Sequence, residues 1–177
     1  PQELFNPRDL SEQFTIDRKF DLVQCLEVAE HLPESSAVTL VESLTSHGDV
    51  ILFSAAPPGQ GGDHHINEQS YDYWRILFEQ RGYRAYDFVR PLVARDVDIE
   101  PWYRYNVFLY ASEKGSKGFP KAVQDTLVPG NCRIRDVSPQ SYQLRKALVR
   151  LLPVSVMTWI AKVKERLVAK KRADSTA

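Results

Sequence analysis

No stretch of 18 or more apolar residues occurs in this chain, which excludes an ordinary membrane-spanning helix. No secretory leader pattern is visible, and the first residue is Pro1 rather than Met, so the numbering is expected to start inside a longer polypeptide. Cysteine is scarce. Cys25 and Cys132 lie far apart and lack the spacing of a metal motif, so the expectation is a reduced, cytoplasmic protein, with a single disulfide as the alternative. No internal repeat is present, and net charge is absent as well, with 23 Lys and Arg against 23 Asp and Glu.

What is present fits one globular domain. The 177 residues are 43% hydrophobic, enough for a sizeable core. The zero net charge conceals an asymmetry. Residues 141–177 hold nine Lys and Arg against Glu165 and Asp174, a net of +7, and the other residues carry −7. A mildly acidic domain with a basic tail suggests contact with an anionic surface.

Two short apolar runs, "FDLVQCL" (20–26) and "DVILFSAA" (49–56), read as strands buried on both faces. Between them "ESSAVTLVESLTSHG" reads as a helix with Val38, Leu40, Val41 and Leu44 on its apolar face and Gly48 at its end. The three make a β-α-β unit. A Gly-rich loop (57–66) follows, then a helix over 68–81 whose Trp74 and Phe78 read as core, and two alternating segments, 83–90 and 104–112, that read as strands. Between those two lies an acidic loop containing Trp102, and residues 113–139 read as an irregular linker. The order is that of an α/β domain over 1–112.

The tail, 140–177, is amphipathic. Val156, Ile160, Val163 and Leu167 form one stripe with Trp159 beside it, among Lys162, Lys164, Arg166, Lys170, Lys171 and Arg172. Pro153 separates it from a preceding helix that includes Leu144, Leu148, Leu151 and Leu152. Packing on the domain or on a second copy in a homodimer is one reading, and peripheral contact with a membrane is the other. Nucleic acid is disfavoured because the tail has too few aromatics for a stacking platform.

The stretch "FDLVQCLEVAEHLP", followed by "GDVILFSAAPPGQGGDHHINEQSYDYWRILFEQRGY" and "EPWYRYNVFLYAS", resembles the second half of the class I S-adenosylmethionine-dependent methyltransferases. The resemblance implies a Rossmann-like sheet of which the fourth to seventh strands are present, ending in an antiparallel hairpin. It implies S-adenosylmethionine as cofactor, with Cys25, Leu26 and Glu27 along its methionine side and Asp9-Leu10 at its adenine. The family's first strand, its G-x-G-x-G loop and its ribose-binding acid are missing, since Gly59, Gly61 and Gly62 follow a strand but do not open a helix. The chain therefore resembles the C-terminal part of such an enzyme, without the main cofactor loop.

Glu27, Glu30 and His31 fall at i, i+3 and i+4, which one helical turn would place on one face. Converging carboxylates call for a cation or protons, and a mixed oxygen and imidazole set suits Mg²⁺ or Mn²⁺, or Zn²⁺ at higher affinity. The E-x-x-E-H pattern resembles the metal motif of the small-RNA 2′-O-methyltransferases and the ubiquinone-pathway O-methyltransferases. That resemblance implies Mg²⁺ or Mn²⁺ on Glu27, Glu30, His31 and a later histidine, His64 or His65. The alternatives are metal-free chemistry, in which Glu30 anchors the loop and His31 faces the substrate or acts as a base, and a purely structural role. The leading function is O-methyl transfer to a small-molecule, glycan or lipid-linked acceptor. A non-catalytic partner-binding module and a metal-dependent RNA methyltransferase are the alternatives, the latter opposed by the acidic domain.

Overall fold

The computed structural model describes residues 5–153, 155–160, 162, 163 and 166. The expected positions Leu167, Lys164, Lys170, Lys171 and Arg172 lie outside the described residues.

Val23–Leu26 form β1 and Val50–Ser54 form β2, the two apolar runs shortened at both ends. They pair in parallel, Cys25 opposite Phe53, and α1 (Ala37–His47) connects them after two 3-10 turns, Ala29–His31 and Glu34–Ser36. Helix α1 buries Ala37, Leu40, Val41 and Leu44, spaced i, i+3, i+4 and i+7. Val38, expected on the apolar face, is 45% exposed because that spacing turns it outward. Gly48 does end α1, but in extended rather than left-handed backbone. Its glycine is explained by crowding, as a Cβ would lie 2.8 Å from the Phe20 carbonyl and from Val23.

Helix α2 (Tyr71–Glu79) starts at Ser70, whose hydroxyl accepts from the Tyr73 N–H at 3.1 Å. It lays Trp74 and Phe78 against Phe53 of β2. Strand β3 covers only Tyr83–Tyr86. The residues expected to extend it lead instead into α3 (Val89–Val93), where Arg90 is buried. Alternation in "YRAYDFVR" was a false strand signal beyond Tyr86, because Asp87 and Arg90 pair with each other at 2.6 Å rather than alternating across a sheet. The expected strand 104–112 is likewise shortened to β4 (Phe108–Ser112). Its first residues and the expected loop around Trp102 form α4 (Pro101–Asn106), with Pro101 in the first turn, where a missing N–H costs nothing.

The sheet order is β1-β2-β4-β3. Strand β4 runs antiparallel between β2 and β3, so one edge is an antiparallel hairpin. The protein is thus an α/β fold on a four-stranded mixed sheet with one parallel pair. At the other edge, no described strand pairs with the outer side of β1. The region 113–139 contains two short helices, α5 (Glu113–Ser116) and α6 (Lys121–Gln124), and it packs on the sheet. Val128 donates its N–H to the Ala85 carbonyl at 2.9 Å, and Val123 and Ile134 are buried. Both cysteines are free thiols.

Helix α7 (Gln140–Val149) presents Leu144 and Leu148 to solvent, 63% and 59% exposed, and buries Lys146. The Lys146 ammonium pairs with Asp136. After Pro153, residues 155–160 are helical, with Val156, Trp159 and Ile160 exposed.

Burial opposes ionisation of Asp136, but hydrogen bonds from Lys146 and Ser138 outweigh it and hold this carboxyl below its ordinary 3.8. An acid depressed by folding adds stability above its unfolded value, and that stability is lost as pH falls through the folded value. Asp136→Asn is therefore expected to be less stable than the parent at pH 7, with the gap closing below about pH 4. Urea unfolding of both proteins at pH 7 and pH 3 checks this, and a gap independent of pH would contradict it.

Candidate functional site

The parallel strands β1 and β2 end side by side, and the residues that follow them form a polar cluster. Immediately after β1, Glu27 adopts left-handed backbone at φ +53°, a conformation that costs a residue with a side chain about 1–3 kcal/mol and recurs at functional sites. Its N–H is given to Ser54 at the end of β2, 3.1 Å from both the carbonyl and the hydroxyl oxygen. That turn sends the Glu27 carboxylate toward Gln60, whose Nε2 donates at 2.8 Å, and Asn106, whose Nδ2 lies at 3.4 Å. Asn106 also donates to the Gln60 side-chain oxygen at 2.7 Å and accepts from the Tyr71 hydroxyl at 3.0 Å. Gln60 and Asn106 are both buried, so this is a largely dehydrated network running from Glu27 to α2 and α4.

The helical turn expected to start near Glu27 begins instead at Ala29. Glu27 therefore does not share a helical face with Glu30 and His31, although it stays close to them. Glu30 is fully buried, and neither carboxylate oxygen has a hydrogen-bond partner. Burial, and then the charge of Glu27, push its carboxyl up to about 7. Its backbone carbonyl accepts from the N–H groups of Ile66 and Asn67 at 2.9 and 3.0 Å, which folds the Gly-rich loop back over the 3-10 turn.

That loop brings His65 edge-on to His31, with ring centroids 4.8 Å apart. Partial desolvation and His65 hold the His31 imidazole below its ordinary 6.5. His65 is buried, and its Nδ1 lies 3.0 Å from Glu68 Oε1. The Glu68 carboxylate also accepts from the N–H groups of Gly59 and Gly61, each at 2.7 Å, so one acid clamps the loop and orients the imidazole. Gly59 and Gly61 take left-handed backbone at φ +86° and +69°. Arg145 of α7 closes the loop from outside, donating to the Gln60 carbonyl at 3.0 Å.

No family model matches the chain, and no curated protein matches it. Its site is therefore described by its own geometry.

Of the expected positions, Glu30, His31 and His65 converge, with ligand-capable atoms all within 4.8 Å of one another. Glu27 adjoins them but is engaged by Gln60 and Asn106. His64 points outward, its side chain 70% exposed. Cys25 faces the core opposite Phe53, where burial pushes its thiol up to about 12, and Leu26 is half-buried at the strand end. Asp9 is exposed, its carboxylate accepting from the Ser11 N–H and hydroxyl at 2.9 and 2.6 Å, and Leu10 packs against the core. Gln60, Glu68, Asn106 and Arg145 are site residues that the sequence reading missed. Glu68 alone had a local signal, lying three residues after His65.

Proposed function

We propose that this chain is the acceptor-side part of an S-adenosylmethionine-dependent methyltransferase that methylates a hydroxyl of a small-molecule, glycan or lipid-linked acceptor. The observation that carries this reading is the placement of the whole polar cluster at the carboxyl ends of the parallel pair β1 and β2, where open α/β sheets bind ligands. The antiparallel hairpin at the far edge agrees with the same resemblance.

The residues fit one end of the cofactor. Leu26 and Glu27 are half-buried at the end of β1, with the Glu27 N–H held by Ser54, and would line the methionine moiety. The Gly59–Gly62 loop does not fit as a cofactor cradle, because α2 begins only at Tyr71. When bound, S-adenosylmethionine would supply a methyl group on a positively charged sulfonium that departs as a neutral thioether, which leaves the protein mainly the task of alignment. The Glu27–Gln60–Asn106 network would hold the Glu27 carboxylate in place beside the bound cofactor. His31, with its imidazole held below the ordinary value, is neutral at pH 7 and able to take the acceptor hydroxyl's proton.

Calorimetric titration of S-adenosylhomocysteine into this chain, and into a version extended upstream of Pro1 to include a Gly-rich loop, tests the reading. Saturable binding by the extended version is expected, with weaker or no binding by the 177-residue chain. Absence of binding to both would overturn the proposal.

A further inference from the structure

Between Leu144 and Ile160 the chain turns its large apolar side chains outward. Leu144 and Leu148 stand opposite the buried Lys146 on α7, and Leu151, 80% exposed, follows three residues on. Beyond Pro153, Trp159 is 66% exposed and Ile160 is exposed beside it. Single exposed leucines are ordinary, but a row of them along two successive helical segments marks a contact surface.

The other side of the same segments is already used. A Cβ on Gly61 would lie 3.1 Å from Val149 and 3.9 Å from Met157. The Thr158 hydroxyl accepts from the His64 N–H at 3.4 Å, and Lys162 lies 3.7 Å from Asp63. With Arg145 on the Gln60 carbonyl, both segments are seated on the Gly-rich loop. The outward row therefore cannot turn inward to bury itself.

We propose that this outward face docks on an anionic lipid bilayer, lying in the headgroup layer with its leucines and Trp159 toward the acyl chains. Charge chooses the occupant. Residues 141–177 carry a net of +7 and the other residues −7, so a negatively charged membrane attracts this end of the molecule and repels the rest. Basic residues beside an apolar face that includes a Trp are the pattern of a helix lying on a membrane. Among the described residues no helix is long and apolar enough to cross one. A second copy of the chain is a poorer cover. The commonest homodimers set one patch against itself, which here would oppose +7 to +7.

On the methyltransferase reading, a docked face seated on the Gly-rich loop would hold the site near the bilayer, which favours the lipid-linked acceptor. Docking itself needs no methyl donor, so vesicle binding and S-adenosylhomocysteine binding succeed or fail independently.

The test is co-sedimentation of the 177-residue chain with phosphatidylcholine vesicles, pure or carrying about one-third phosphatidylglycerol. Each basic residue near an anionic surface contributes about fivefold, so the anionic vesicles are expected to be bound at least about tenfold more tightly. Raising NaCl from about 0.1 M to about 1 M shortens the screening length from about 10 Å to about 3 Å and should remove most of that gain. Tryptophan fluorescence is expected to shift to the blue on binding. Trp159→Phe should abolish the shift, since Trp74 is buried in the core and Trp102 lies on α4. The triple variant Leu144→Gln, Leu148→Gln, Leu151→Gln changes only exposed side chains. It is expected to melt with the parent while losing at least about tenfold in affinity for the anionic vesicles. Val97→Gln, at a similarly exposed apolar residue elsewhere, is expected to keep the parent's affinity. The proposal is overturned if anionic vesicles are not bound, if neutral ones are bound equally, or if the triple variant binds as tightly as the parent. A lipid-free dimer in ultracentrifugation that the triple variant dissociates would overturn it too, by showing that a second copy covers the face.

Discussion

Gly59→Ala is expected to destabilise the protein by about 2–5 kcal/mol, combining left-handed strain with overpacking. At φ +86° a side chain is already unfavourable, and the added Cβ would lie 2.1 Å from the backbone carbonyl of Lys146 in α7. Neither side can yield cheaply. The loop is held by Glu68 through two backbone hydrogen bonds, and α7 is held by the buried Lys146 on Asp136. Gly82→Ala supplies the comparison. Its φ is +77° but nothing lies within 4 Å of the new Cβ, so only the conformational cost of about 1–2 kcal/mol applies. Urea denaturation of the two variants separates strain from contact. Equal losses would mean that α7 does not sit on the loop in solution.

Arg90→Leu is expected to cost about 3–5 kcal/mol, as when one partner of a buried ion pair is removed. The guanidinium is 2% exposed and joins three separate parts of the chain. It donates to both oxygens of Asp87 at 2.8 and 2.6 Å, to the Tyr105 carbonyl at 3.3 Å and to the Arg135 carbonyl at 3.0 Å. It also lies 4.2 Å from the centre of the Phe108 ring. Leucine would fill part of the volume and leave the buried Tyr105 carbonyl, and the part-buried Arg135 carbonyl, without this donor. Asp87→Asn should cost less, because the Asp87 side chain is 27% exposed and water can replace part of the pairing. Since Tyr105 precedes Asn106, the Arg90 variant is also expected to loosen the Tyr71–Asn106 hydrogen bond. A urea midpoint shifted no more by Arg90→Leu than by Asp87→Asn would contradict this account.

The elements that were readable in the sequence are those whose residues repeat with one period and bury one face. Helix α1 has its i, i+3, i+4, i+7 spacing, α2 has Trp74 and Phe78, and β1 and β2 are unbroken apolar runs. Helices α3 and α4 were hidden because each spans fewer than two turns, too short to show a period, and because the buried face of α3 is an arginine. In the site, proximity in sequence identified Glu30 and His31, and the Gly-rich loop pointed to His65. The partners of Glu27 could not be read in this way. Gln60 and Asn106 are 46 residues apart, and they meet only because β4 returns between β2 and β3. The left-handed turn at Glu27 is similarly a product of tertiary structure, since no glycine or asparagine marks it.

The seating of α7 on the Gly-rich loop also bears on how the protein is made. Arg145 reaches back 85 residues to the Gln60 carbonyl. At translation rates of about 5–20 residues per second, roughly 4–17 s pass between synthesis of the loop and synthesis of its cover. Throughout that interval the emerging chain holds Glu30, His65 and the glycines without the helix that closes over the loop. A nascent chain stalled between the loop and α7 should therefore be cut by protease at Gly59–Gly62, whereas the finished protein is protected there.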